Sequence, residues 1–295
     1  MTTPAKIEAF DTLLWVCNGH HAGQVTALSQ PTISRAAHQA GQTLGVSLRK
    51  IRGEWHVSGD TLRLSQERQV QQVARWNGQA PTRLEAGAIS SHLVAHPAPL
   101  GWVLGRADAI NLPRSLALLH DRVVDAWLCT STLDLPPEAL RTLAVFDLYR
   151  APLRLVVSAN HPLAGERGLT SSDLAAFPSV ALLDDWYPNS AARLRKHGLW
   201  STPRHLTHHR RHHWEGRTAD GRTLAYASPL TLARQPDLAP LEYELGLDHA
   251  MGLLVLREWM NHPRIQELVE ELRRRLSWLQ REEASLDEAP FKVAA

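Results

Sequence analysis

SQPTISRAAHQAGQTLGV, residues 29–46, opens on small polar residues and one proline, holds a single arginine, Arg35, and closes on an apolar turn. No catalytic pattern has this composition. Ser29 is a good helix N-cap, and Pro31 falls close to the first-turn position where a missing N–H costs nothing. The helix so started runs to about Leu44, and Gly45 ends it. Ile33 and Ala37 form its inward face. Ser29, Gln30, Pro31, Thr32, Ser34, Arg35 and His38 remain outside. Slim residues carrying donors and acceptors are what a helix entering the DNA major groove requires. Gln can bridge adenine, Arg can bridge guanine, and Ser or Thr can reach bases or phosphates. The helix N-terminus itself favours a phosphate.

The flanking sequence supports this reading. AKIEAFDTLLWVC, residues 5–17, places Ile7, Phe10, Leu13, Leu14 and Cys17 at helical spacing. Asn18-Gly19 stops that helix, and residues 20–28 make a second short one. RKIRGEWHV, 49–57, carries Gly53 between two extended arms and reads as a hairpin. Three helices and a basic hairpin make a winged helix-turn-helix, with Lys50 and Arg52 placed beside Arg49 for backbone phosphates. Residues 1–58 hold five Lys/Arg against three acids, Glu8, Asp11 and Glu54, an excess that favours DNA only weakly. Taken alone, SQPTISR could also be any capped helix.

Composition bounds the remainder. The chain has 295 residues, is 44% hydrophobic and 21% charged, and carries a net charge of +2, the balance of an ordinary globular protein. Cys17 and Cys129 are too few for a disulfide framework. The N-terminus lacks a signal-peptide pattern, and no apolar run reaches the roughly 20 residues that span a bilayer. The expectation is a cytoplasmic protein with no membrane partner.

From Leu62 a helical stripe runs through Val70 and Val73 to Trp76, and QAPTR, 79–83, reads as a linker. Beyond it, LEAGAI (84–89), LGWVL (100–104), DAWLCT (125–130), LRLVVSA (153–159), SVALL (179–183), LAYAS (224–228) and GLLVLR (252–257) alternate with helical stretches at 113–124 and 263–282. Such alternation predicts an α/β domain with a mostly parallel sheet. G-x-S-x-G, a Walker loop, G-x-G-x-x-G and H-E-x-x-H are all absent from the sequence, so no catalytic residue, metal or cofactor is expected. HLTHHRRHHW, 205–214, offers His208 with His212 and His209 with His213 at i, i+4 spacing. Arg210 and Arg211 repel a cation there, so a solvated basic segment is the better reading. It could also be a surface for RNA polymerase or for another protomer.

These anchors resemble the LysR-type transcriptional regulators. IEAF at 7–10 is similar to the family's opening Leu-x-x-Phe. SQPTISR follows after residues 11–28 and is similar to its S-Q-P-[AS]-[VI]-S-R segment. Leu44-Gly45-Val46 is similar to its leucine-glycine turn. VVDAWLCTS (123–131), LRLVVSANHPLAG (153–165) and LTSSDLAAFPSVAL (169–182) resemble, in the right order, segments of its effector domain. The likeness spans roughly 5–280. The chain departs from the pattern at Gly23, Thr26, Gly41, Arg49 and VSGDT (57–61); a helical Gly costs up to about 1 kcal/mol relative to Ala.

The resemblance implies a fold and a division of labour. The fold is α/β: an N-terminal winged helix-turn-helix (1–58), a dimerising linker helix (59–78), a linker (79–83), a two-lobed effector domain resembling periplasmic binding proteins (84–285, the lobes being 84–150 plus 245–285, and 151–244), and a tail (286–295). The dimer seam would be Leu62, Val70, Val73 and Trp76; the other reading is that this helix packs on its own domain. A homodimer or homotetramer on double-stranded DNA follows. Effector contacts are expected after three strands, at Ser90 and Ser91, at Thr130 and Ser131, and at Trp186 and Asn189, where hydroxyls and helix N-termini favour a carboxylate or other anion. The implied function is an effector-controlled DNA-binding regulator, not an enzyme. The alternative is a small-molecule-binding protein with a degenerate DNA-binding domain.

Overall fold

A computed structural model describes residues 3–51, 53–87, 94–105, 111–200, 203–205, 220–232, 234–235 and 237–287. Helix α1, Pro4–Val16, starts on a proline and buries Ile7, Phe10, Leu13, Leu14 and Trp15. Asn18 does more than stop α1. Its side chain accepts from the His20 and His21 amides and so starts α2, Gly19–Thr26. Ser29 caps α3, Gln30–Leu44, by accepting from the Thr32 amide, and Gly45 closes it at φ 74°. Two strands, β1 (Val46–Ile51) and β2 (Glu54–Gly59), pair antiparallel as the wing. The hairpin is longer than the spacing predicts.

The two glycines that set this domain apart sit at close approaches. A Cβ on Gly23 would lie 2.8 Å from the Leu28 carbonyl oxygen, and one on Gly41 would lie 2.7 Å from that of Val46. Glycine here lets α2 meet the turn into α3, and α3 meet the wing.

Helix α4, Leu62–Trp76, follows the wing. The main sheet starts at β3, Thr82–Ala86, inside the stretch that composition marks as linker. Thr82 and Arg83 are buried: Thr82 bonds the Gly101 carbonyl beside β4, and Arg83 reaches Glu8 and Thr12 of α1. The remaining elements are β4 (Trp102–Leu104), α5 (Leu112–His120), β5 (Ala126–Cys129), a 3-10 turn (Thr132–Asp134), α6 (Ala139–Thr142), β6 (Leu143–Ser158), α7 (Ser171–Ala175), β7 (Ser179–Ala181), α8 (Pro188–Lys196), β8 (Pro203–His205), β9 (Ala225–Ala227), α9 (Pro229–Leu232), β10 (Leu238–Leu256) and α10 (Pro263–Asp287).

Among the described residues, six strands form one sheet in the order β4-β3-β5-β10-β6-β9, and β7 pairs with β8 apart from it. The sheet is mixed, where alternation predicts mostly parallel. Strand β3 is parallel to β4 and β5, but β10 runs antiparallel to both β5 and β6, and β9 antiparallel to β6. The reason is that β6 and β10 are long strands that pair antiparallel along most of their length. In the division expected from the sequence, β3, β4, β5, α5, α6 and α10 fall in the first lobe and α7, β7, α8, β8, β9 and α9 in the second, although Leu230 of α9 shares a hydrophobic cluster with Leu268 and Leu272 of α10. A single hydrophobic cluster runs from Ile7, Phe10, Ile33 and Leu64 into Leu112, Leu118, Val123 and Trp127, joining the winged helix to the first lobe.

Candidate nucleic-acid interface and effector cleft

The start of α3 presents its polar residues outward. Ser29, Gln30, Pro31, Ser34, Arg35 and His38 are exposed and Thr32 is half-buried, while Ile33, Ala37 and Ala40 lie in the core. The Ser29 and Thr32 hydroxyls are 2.8 Å apart, so the cap is tied before any ligand arrives. Arg35 Nε donates to the Pro31 carbonyl at 3.3 Å, which holds the guanidinium along the N-terminal turn. On the wing, exposed Lys50 lies over the Trp55 ring, 5.7 Å from its centroid. Arg52 lies outside the described residues, as do Ser90, Ser91 and the histidines from 208 to 213.

The acids of this domain are engaged elsewhere. Glu8 lies 2.7 Å from Arg83 Nη2, Asp11 lies 2.8 Å from Arg68, and Glu54 accepts from Asn111 at 3.2 Å with Arg114 4.0 Å away. Burial alone would raise the Glu8 carboxyl, but the Arg83 charge and hydrogen bond outweigh it and hold the group below the usual glutamate range. With its carboxylates neutralised against the linker helix and first lobe, the domain leaves Arg35, Arg49 and Lys50 exposed. A net excess of +2 therefore understates the positive field at α3 and the wing.

The same contacts dock the winged helix rigidly. Trp15 Nε1 donates to Glu85 at 2.6 Å, and Arg114 Nη2 donates to the Leu14 and Trp15 carbonyls, which satisfies the C-terminal end of α1. Helix α4 is sandwiched: Leu64, Arg68, Gln72, Arg75 and Trp76 are buried within its own chain. Trp76, expected on the dimer seam, instead stacks on Trp259 at 5.3 Å and meets Trp102 edge-on at 5.9 Å. The opposite face keeps Leu62, Val70 and Val73 exposed. The helix thus packs on its own chain along one face, and leaves the other face open.

Two of the segments expected to contact an effector lie side by side. Thr130 and Ser131 follow β5, and the 3-10 turn after them carries Asp134 to the N-terminus of α8. There the Asn189 and Ser190 amides donate to Asp134 Oδ1 at 2.8 and 3.0 Å, and the Ser190 hydroxyl donates to Oδ2 at 2.5 Å. Asn189 Nδ2 donates to the Leu133 carbonyl at 2.8 Å. Asn189 is thus brought onto the segment after Ser131, while Trp186 is half-buried against the core. Asp134 has no local signal in the sequence, since its partners lie 55 and 56 residues away. Beside it, Cys129 is buried, and burial pushes its thiol up to about 12.

His161, of the NHPLA segment, has a structural task. Its Nδ1 accepts from the Leu163 amide at 3.1 Å, so Nε2 carries the proton that faces the Arg222 carbonyl at 3.2 Å. Burial lowers its pKa, against the pull of that carbonyl.

No protein-family profile matches the chain, and no curated protein matches it significantly in sequence. Solved structures match over its whole length. A cysteine mutant of OxyR from Corynebacterium glutamicum, with hydrogen peroxide bound, is 16% identical, with 100% of this chain and 99% of that chain covered and a TM-score of 0.55. ArgP from Mycobacterium tuberculosis is 14% identical, covering 94% of this chain and 98% of that one, at a TM-score of 0.55. Full-length CbnR complexed with its target DNA is 16% identical, covering 92% and 99%, at 0.51. These neighbours are LysR-type regulators, and the chain has their fold from winged helix to two-lobed effector domain.

Proposed function

We propose that the chain is a DNA-binding transcriptional regulator of the LysR type, working as a homodimer or homotetramer under a small-molecule effector. The observation that carries this reading is the solvent face of α3 and the wing. Ser29, Gln30, Ser34, Arg35 and Lys50 face outward there, while Glu8, Asp11 and Glu54 are turned into ion pairs. Gln30 and Arg35 would read base edges, and Lys50 with the helix N-terminus would hold phosphates. Full-length likeness to a structure that includes target DNA supports the assignment. Gly23 and Gly41 serve close backbone approaches, so they give no sign of a decayed DNA-binding domain. Two recognition helices in a dimer would reach half-sites one helical turn or a multiple apart. Effector binding in the cleft would shift protomer geometry and with it half-site spacing or DNA bend. RNA polymerase would be the downstream partner, in the cytoplasm. Peroxide is not carried over from the OxyR neighbour, because Cys17 and Cys129 are both buried and the Cys129 thiol is held protonated.

The test is binding of the purified chain to DNA fragments from upstream of its own and neighbouring genes, at several salt concentrations. Wild type should bind one fragment saturably over random DNA. Arg35→Ala should lose about 1–3 kcal/mol of discrimination. Binding no tighter than to random DNA, and unchanged in Arg35→Ala, would remove the assignment.

A further inference from the structure

Helix α1 is buried on every side: Ile7 and each residue from Ala9 to Val16 are buried. Phe10 turns towards α3, where its ring lies 3.5 Å from the place of a Cβ on Gly41. A second stripe, Glu8, Asp11, Thr12 and Trp15, has the i, i+3, i+4, i+7 spacing of one helix face. Each of the four finds a partner outside the winged helix. Arg83 Nη2 lies 2.7 Å from Glu8 and donates to the Thr12 hydroxyl at 3.2 Å, Arg68 of α4 holds Asp11 at 2.8 Å, and Trp15 Nε1 donates to Glu85 at 2.6 Å. Asp11, Thr12 and Trp15 are at most 1% exposed.

Trp15 enters a fitted socket. The Arg83 guanidinium lies over its ring, 5.7 Å from the centroid. Glu85 is held in turn by the Ser115 hydroxyl at 3.2 Å, with Arg114 3.7 Å away. Gly105, just past β4, forms the wall: a Cβ there would lie 2.5 Å from Trp15 Nε1 and 2.8 Å from Glu85 Oε2. Arg114 closes the arrangement by donating to the Leu14 and Trp15 carbonyls. A helix end that takes its carbonyl partners from another domain has a fixed place on that domain. Gln30, Ser34 and Arg35 stay exposed in this arrangement, so α3 is held with its reading face open.

We propose that Trp15, with Glu85, Gly105 and Arg114 as its socket, is a positioning residue for DNA recognition. It fixes α3 to the effector domain in one orientation. The winged helix, α4 and the β3–β4–α5 layer then move as one body, and the way two protomers meet sets the distance between their recognition helices. A slack tether would let each α3 find its half-site independently. A plugged one makes affinity depend on half-site spacing. This rests on the dimeric regulator proposed above and deepens it, by naming the residues through which a change of protomer geometry reaches the DNA.

Two measurements on the full chain test the socket. Spin labels on His38→Cys and Leu140→Cys, both exposed positions, report the separation of α3 from the effector domain without DNA. Cys17 and Cys129 are buried, and dilution with unlabelled chain leaves only distances within one protomer. The parent should give one narrow distance. Gly105→Ala, whose new methyl takes the place of the indole edge, should give a broad distribution. On DNA, lengthening the half-site separation by a few base pairs should weaken the parent on the order of a hundredfold, and Gly105→Ala should cut that ratio to below about tenfold. Trp15→Phe keeps most of the packing and loses the indole donor; it should fall between the two in both measurements, and it decides the matter if Gly105→Ala folds poorly. An unchanged narrow distance in the variants would overturn the proposal. So would an equal loss of affinity at every spacing, which marks a role in stability alone. If no fragment is bound specifically, the regulator reading falls instead, and the label distances still decide whether the socket fixes α3.

Discussion

Arg75 of the linker helix holds Asp125 of the first lobe in a two-pronged pair, Nε to Oδ2 at 2.7 Å and Nη2 to Oδ1 at 2.9 Å, with both side chains nearly free of solvent. Asp125 also accepts from Gln72 and from the Arg83 amide. Removing one member of such a pair strands the other charge. Arg75→Ala should destabilise the chain by about 3–5 kcal/mol. Arg75→Met with Asp125→Leu should lose much less, because no charge is left unpaired. Urea unfolding of the single and double variants measures both. A loss under about 1 kcal/mol for the single variant would show that the junction is wet.

Gly41 sets helix propensity against packing. Propensity alone says that Gly41→Ala stabilises α3 by up to about 1 kcal/mol. The structure predicts the opposite sign, because the new Cβ would sit 2.7 Å from the Val46 carbonyl oxygen. The expected cost is about 1–3 kcal/mol, the usual range for overpacking. It is read as a lower midpoint in urea. A more stable Gly41→Ala would mean that α3 and the wing can separate without penalty.

What the sequence disclosed divides by distance along the chain. The Ser29 cap, the Gly45 stop and the polar face of α3 were legible because caps and helix faces are local chemistry. Strands β6 and β10 were legible only at their apolar ends. Pro240 and Gly246 argue against a strand, and the register shifts between Pro240, Glu244 and Asp248 accommodate them. Arg68 and Arg75 carry no local signal of their pairing, since their partners Asp11 and Asp125 lie 57 and 50 residues away. Trp76 was assigned to a dimer seam for a related reason: nothing near it in sequence announces Trp102 or Trp259. Asp134 was missed altogether, because only the fold sets it against α8.

His249 makes stability depend on pH. It lies on β10 opposite Ala151, and its ring meets Tyr149 edge-on at 6.1 Å. Burial pushes its pKa down to about 4, and Nε2 has no hydrogen-bond partner. In the unfolded chain the group titrates near 6.5. Between those values the unfolded chain takes up a proton that the folded chain refuses. Stability is therefore full above about pH 6.5 and falls as pH drops towards 4, by up to roughly 3 kcal/mol. Urea midpoints at pH 7 and pH 5 should differ in wild type and converge in His249→Phe. An equal drop in both proteins would place the acid sensitivity elsewhere, with His161, whose pKa burial also lowers, the next candidate.

The outer face of α4 is the seam proposed for the homodimer. Leu62 and Val70 are each 63% exposed and Val73 is 39% exposed, on one stripe of a helix whose other side is spent on its own chain. A twin helix laid along this stripe would bury all three. Val70→Glu should therefore shift wild-type dimer to monomer in sedimentation. It should cost the isolated chain little, within about 0.5 kcal/mol, because the side chain touches nothing essential in its own protomer. Leu64→Glu is the contrast, since Leu64 is 0% exposed and faces inward, and it should unfold the junction instead. If Val70→Glu sediments as wild type does, α4 is not the seam. The pairing surface would then have to be sought on the effector domain, and the half-site geometry rederived from there.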